Sequence, residues 1–172
     1  MTKERVNMAS FNTVLNPWRD RLTRINDLTI QAHLQPWIDG LRADGSTNTL
    51  AALRFALADA DVEAIYLLTD GRPDQVNFFE KNKIRFCTMN LFQNERYIIS
   101  QVQYRQLTPI HTIAFNCQDQ NANQFLFDLA KATGGRFHAF NYSTENLSPI
   151  EVPEVRFFVL FYSAENFRFS LN

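Results

Sequence analysis

Cysteine is scarce: two in 172 residues support neither a disulfide framework nor a tetrahedral zinc site. Cys87 and Cys117 therefore read as small buried hydrophobes kept reduced. Charge of one sign is scarce too, with 17 Lys and Arg against 18 Asp and Glu and no long run of either. That balance offers no electrostatic footprint for nucleic acid or an anionic membrane, so neither is an expected partner. No apolar run approaches the ~20 residues needed to cross a bilayer. Met1-Thr2-Lys3-Glu4-Arg5 is too polar for a signal peptide, and an intracellular chain is expected. On that expectation Asn141-Tyr142-Ser143 and Asn146-Leu147-Ser148 are loop residues rather than glycosylation acceptors. There is no P-loop, no Gly-x-Gly-x-x-Gly and no Ser-His-Asp set. His33, His111 and His138 lack metal-ligand spacing and read as core or surface side chains.

What the chain does have is apolar and aromatic mass: 45% hydrophobic residues, 16 of all residues being Phe. A chain this long buries roughly 70% of its unfolded surface, enough for one sheet covered by helices. Strand-like and helix-like patterns alternate, which predicts βαβ units. Val6 to Asn12 reads as a strand, Pro17-Trp18 as a turn, and Arg21 to Ile25 as a short strand. Ile30, Leu34, Trp37, Ile38 and Leu41 share one face of a helix from Asp27 to Leu41, with a kink or late restart at Pro36. Asp44 to Thr47 offers capping oxygens to a helix carrying Leu50, Leu53 and Leu57. Glu63 to Thr69 and Ile110 to Asn116 read as central strands. A helix follows from Asn121 to Thr133, stopped by Gly134-Gly135, and then a strand from Arg136 to Phe140. Asp74 to Gln93 reads as an insertion before a helix at Asn94 to Gln106. Val155 to Tyr162 is the strongest strand signal in the chain.

The chemistry converges on two segments. Asp44-Gly45-Ser46-Thr47-Asn48-Thr49-Leu50 runs into a helix, and Ile65-Tyr66-Leu67-Leu68-Thr69-Asp70-Gly71 is a buried strand ending on an acid. In an open α/β sheet such strand ends form the ligand crevice. Gly71 lets the chain turn away so that the Asp70 carboxylate faces it. This pairing resembles the von Willebrand factor A (VWA) domain, and the resemblance covers residues 5–140 apart from an insertion at 76–93. Residues 144–172 form an atypical C-terminal segment of the same single domain, 1–172.

The resemblance implies a three-layer, doubly wound, mostly parallel sheet with helices on both faces. It implies a metal-ion-dependent adhesion site in which Thr47 and Asp70 hold Mg²⁺, and a non-catalytic module that binds another protein through an acidic side chain. Ser46, Asn48, Gly71 and Arg72 would form the partner-binding rim. The wording of both segments resembles an intracellular branch found in ciliated organisms, implying a cytoplasmic, ciliary assembly. The family's first strand and its Asp-x-Ser-x-Ser loop are missing, so the central slot of the sheet needs another occupant. Val155 to Tyr162 is one candidate; it would bring Ser163 and Glu165 to the crevice as metal ligands. The other reading makes it an added edge strand or hairpin with Phe167 and Phe169. The missing strand comes either from this chain or from a second copy in a strand-exchanged homodimer. With the main aspartate lost, Mg²⁺ is expected to be weak or absent, leaving a metal-free scaffold as the alternative. An Mg²⁺-dependent phosphohydrolase using Asp70 as nucleophile is the competing class, but Arg72 stands where its second acid belongs.

Overall fold

The computed structural model describes residues 5–42, 47–69, 79–80, 83–84, 91–103, 108–115, 119–140 and 158–163, of which 79–80, 83–84, 91–94 and 158–163 are described as backbone. Cys87, Cys117, both Asn-x-Ser triplets and the proline-flanking Glu151 and Glu154 lie outside these residues.

Strand β1 (Arg5–Phe11) alternates as a one-sided strand must, burying Asn7, Ala9 and Phe11. Asn12 turns it into β2 (Leu15–Pro17): its Oδ1 accepts from Val14 N–H at 2.7 Å. The turn expected at Pro17 is thus the end of a strand. Proline is tolerated there because β2 is the sheet's edge and owes no hydrogen bond outward. β3 (Thr23–Arg24) pairs with the start of β1.

A continuous helical segment follows, comprising α1 (Asp27–Thr29), a wider π-type turn at Ile30–Leu34, and α2 (Gln35–Asp39). Asn26 caps it, accepting from Thr29 N–H at 2.8 Å. Pro36 explains the wide turn. It lacks an N–H, and in an α-helix its ring would meet the Ala32 carbonyl. Instead Gln35 N–H reaches back to Ile30 O, one residue further than usual.

The remaining elements are α3 (Thr49–Ala56), β4 (Ala64–Thr69), β5 (Phe79–Glu80), β6 (Lys83–Ile84), α4 (Leu91–Gln103), β7 (Ile110–Phe115), α5 (Gln120–Ala132), β8 (Phe137–Phe140) and β9 (Phe158–Ser163). β5 and β6 pair with each other as a separate ribbon inside the insertion. Gly134 and Gly135 stop α5: Gly135 N–H bonds Ala130 O at 2.9 Å and Gly134 N–H bonds Lys131 O at 3.4 Å. Gly134 takes the left-handed φ of +72° that this ending requires. Gly135 is required by space, since a Cβ there would lie 1.9 Å from the Ile110 carbonyl oxygen.

The main sheet has the order β2-β1-β9-β4-β7-β8, with β3 also on β1. The chain's own last strand therefore fills the central slot, and the edge-strand alternative is overturned. β9 runs antiparallel to both neighbours, with Ser10↔Phe158 and Arg5↔Ser163 on one side and Leu68↔Phe158 and Ala64↔Tyr162 on the other. β1, β4, β7 and β8 consequently point the same way, and β4-β7-β8 pair in parallel.

One face of this sheet holds the main core. Ala9, Phe11, Ile65, Leu67, Ile110 and Ala114 meet Leu50 and Leu53 of α3, Ile98 and Val102 of α4, and Phe125, Leu126 and Leu129 of α5. Each large side chain so buried contributes about 1.5–3 kcal/mol. α5 is also pinned by hydrogen bonding, Thr112 Oγ1 donating to Leu126 O at 2.8 Å inside the core.

Candidate partner-binding rim

Because β1 and β4 point the same way, their C-terminal ends share one rim with the start of α3. The docking is direct: Asn48 N–H donates to Asn12 O at 3.2 Å. Asn48 is also the cap of α3, its Oδ1 accepting from Ala51 N–H at 3.2 Å. The helix thus begins one residue later than the Asp44 to Thr47 cap expected from sequence. Thr47 sits just before the cap, 4% exposed, and Thr49 is 1% exposed. Thr69 closes β4 at the same rim, 1% exposed. Rim polarity therefore comes from hydroxyls tucked beneath the surface and from the N-terminus of a helix, whose dipole favours an anionic partner.

Of the site residues expected from sequence, Thr47 and Asn48 lie on this rim. Ser46, Asp70, Gly71, Arg72 and Glu165 lie outside the described residues. Ser163 does not belong to the rim. It pairs with Arg5 at the opposite end of the sheet, and the β9 residue that reaches the rim is Phe158, opposite Ser10 and Leu68. Five residues of strand separate the two ends, about 17 Å at ~3.4 Å per residue. The physical reason is direction: an antiparallel strand presents its first residue where a parallel one presents its last. An apolar run carries no signature of that choice. Among the described residues no group of three or more His, Cys, Asp or Glu could hold a metal ion.

Sequence reasoning missed a second constellation, on the sheet face opposite the main core. Tyr66, His111 and Arg136 form one cross-strand row there, and Ile113 with His138 the next. The Tyr66 and His111 rings stack at 4.7 Å and 17°. His111 Nδ1 accepts from Arg136 N–H at 3.2 Å, which leaves Nε2 to carry the proton of the neutral ring. Burial first, then the charges of Arg136 and His138, hold the His111 pKa below its ordinary value. These residues are far apart in sequence, and only strand register assembles them.

Among the described residues no helix is long and apolar enough to cross a membrane. The sequence profile of the von Willebrand factor type A domain matches residues 1–139. Human von Willebrand factor A domain-containing protein 3B is 38% identical over 149 residues, 87% of this chain. Human von Willebrand factor A domain-containing protein 3A is 36% identical over 132 residues, 77% of this chain. The chain spans about a tenth of the length of each, 10% in both cases. With a profile match over most of its length and two relatives more than a third identical to it, the chain belongs to the von Willebrand factor A domain family.

Proposed function

We propose that this chain is a non-catalytic protein-interaction module that engages an acidic group of its partner at the rim formed by the start of α3 and the end of β4. Family membership supports the class of function, and the helix N-terminus docked on β1 supports the sign of the partner. The single observation that carries the reading is the antiparallel seat of β9. It takes Ser163 away from the rim and brings Phe158 towards it, so the cation ligands left to the family's site are Thr47 and Asp70. Mg²⁺ prefers six oxygens in near-octahedral array and keeps its waters when the protein offers few. Binding of Mg²⁺ is therefore weak, and the module's partner recognition does not depend on it. A cytoplasmic assembly at cilia is the setting this reading implies.

A photo-crosslinking residue at Arg72, compared with one at Lys131 on α5, tests the interaction. Adducts formed from position 72 and competed by an acidic peptide support the rim. Equal labelling from both positions contradicts it. Calorimetric titration with MgCl2 and MnCl2 tests the metal: micromolar binding that survives Asp70→Ala would overturn the weak-site reading.

A further inference from the structure

Among the described residues β8 is bonded on one side only, to β7, so the contacts at its first residues decide whether it stays in the sheet. The chain reaches it from α5 through Gly134 and Gly135, and that approach is anchored without a titratable group. Thr133 Oγ1 accepts from Ile110 N–H at 3.1 Å and lies 3.1 Å from both Leu129 O and Ala130 O. At the far end of the strand the Phe115 and Phe140 rings stack at 5.4 Å and 11°. Between these anchors the ladder begins at Thr112↔Phe137. Arg136 stands just before it, its carbonyl accepting from Thr112 N–H at 2.9 Å. A residue on a parallel strand turns its N–H and C=O to the same neighbour, so Arg136 N–H faces β7 as well. Its acceptor there is a side chain, His111 Nδ1 at 3.2 Å.

An imidazole nitrogen accepts only while it carries no proton. Once His111 is protonated both ring nitrogens are donors, and two N–H groups face each other across the gap to Arg136. Turning the ring over gives no escape. It stacks on Tyr66 at 4.7 Å and 17°, and a half-turn within that stack brings Cδ2 to the same place, which accepts nothing. Nor do the surroundings offset the charge. Among the described residues the titratable and charged groups facing the ring are Tyr66 from β4 and Arg136 and His138 from β8. No residue of β4, β7 or β8 carries a carboxylate.

We propose that His111 and the Arg136 amide form a proton-operated latch on β8: neutral His111 holds the start of the strand against β7, and protonation of Nδ1 releases it while α5 and the β4–β7 pairing stay in place. The inference goes beyond the rim reading and does not depend on it.

Amide hydrogen exchange of the full chain, followed by NMR from about pH 8 down to about pH 5 and corrected for the intrinsic rate, tests the latch. His111 is held below its ordinary 6.5, by burial first and then by Arg136 and His138. Between that ordinary value and the folded one, protection at Arg136 and Phe137 should fall about tenfold per pH unit, while Ile65 and Leu67 of β4 keep theirs. In the same samples the His111 ring nitrogen shifts should show Nε2–H at neutral pH and a protonated Nδ1 where that protection falls. This coincidence is read in the parent chain and needs no variant. His111→Gln keeps an acceptor but cannot titrate, so it should lose the pH step. His111→Phe keeps the ring and loses the acceptor, so its Arg136 amide should be poorly protected at every pH. His138→Gln should retain the step. The proposal is overturned if Arg136 protection does not follow the His111 titration, or if β4 loses protection in parallel with β8. It is overturned equally if the step survives His111→Gln or disappears in His138→Gln, or if His111→Phe protects Arg136 as well as the parent does.

Discussion

Removing β9 is the most demanding perturbation this fold offers. β9 pairs at six positions with β1 and at five with β4, so ending the chain after Pro149 strips about eleven ladder positions from two strands at once. Taking roughly one backbone hydrogen bond per paired position, at a net 0.5–1.5 kcal/mol each, the loss is about 5–15 kcal/mol. That equals the whole net stability of an ordinary domain. The partners left behind cannot simply become a surface, because Ala9, Ile65 and Leu67 are wholly buried in the rows that β9 bridges. Nor can β1 and β4 close the gap, since two strand spacings separate them. Urea and thermal unfolding, followed by fluorescence of Trp18 and Trp37 and by circular dichroism, read the effect. The shortened chain should show no cooperative transition and should aggregate. If it stays soluble and melts cooperatively at the parent's temperature, β9 is an appendage and the reasoning fails.

Other expectations concern single residues. Gly135→Ala drives a Cβ against the Ile110 backbone and should cost about 3–5 kcal/mol in urea unfolding, whereas Gly134→Ala meets nothing within 4 Å and should cost only about 1–2 kcal/mol for its left-handed φ. Equal costs would refute the distinction between space and backbone conformation. Asn7 is fully buried, donating to Arg19 O at 2.7 Å and accepting from Arg19 N–H at 3.1 Å and Met8 N–H at 2.9 Å. Asn7→Leu keeps the branching of the side chain but orphans those groups and adds bulk at a fully buried position, so a loss of about 2–4 kcal/mol is expected, and a neutral result would contradict it. His111 has a folded pKa below its unfolded value of 6.5, so the unfolded chain binds the proton first on acidification. Its contribution is complete above the unfolded value and is lost as pH falls through it towards the folded value, and His111→Gln should flatten that slope of stability against pH.

The parts of the fold legible in the sequence are those with a period. β4, β7 and α5 follow from apolar runs and a helical stripe with its glycine stop, and the continuous apolar character of the last strand made it a candidate for the central slot without deciding against an edge position. Direction was not legible: side-chain alternation reads the same forwards and backwards, which is why Ser163 seemed to complete a metal site at the wrong end of β9. The cap falls on Asn48, just past the expected stretch from Asp44 to Thr47, because Asn caps as well as those residues do, and the contact to Asn12 that selects Asn48 is non-local. β2 was hidden by Pro17, whose turn character prevails in a central strand but not at an edge. The row of Tyr66, His111 and Arg136 was invisible for another reason. Tyr66, His111 and Arg136 are each ordinary strand-flank residues until the parallel register of β4, β7 and β8 lines them up.

The central claim is that β9 lies between β1 and β4 and runs against both, so the rim meets its first residue and not its last. Disulfide trapping in a chain with Cys87→Ser and Cys117→Ser measures this most directly. Paired Cα atoms across an antiparallel ladder lie about 4.5–5.5 Å apart, within reach of a disulfide, whereas strand ends about 17 Å apart are not. Ser10→Cys with Phe158→Cys should oxidise to completion and give a cross-linked monomer, while Ser10→Cys with Ser163→Cys should stay reduced. Efficient cross-linking of the second pair, or cross-linking of the first only between two chains, would contradict the account.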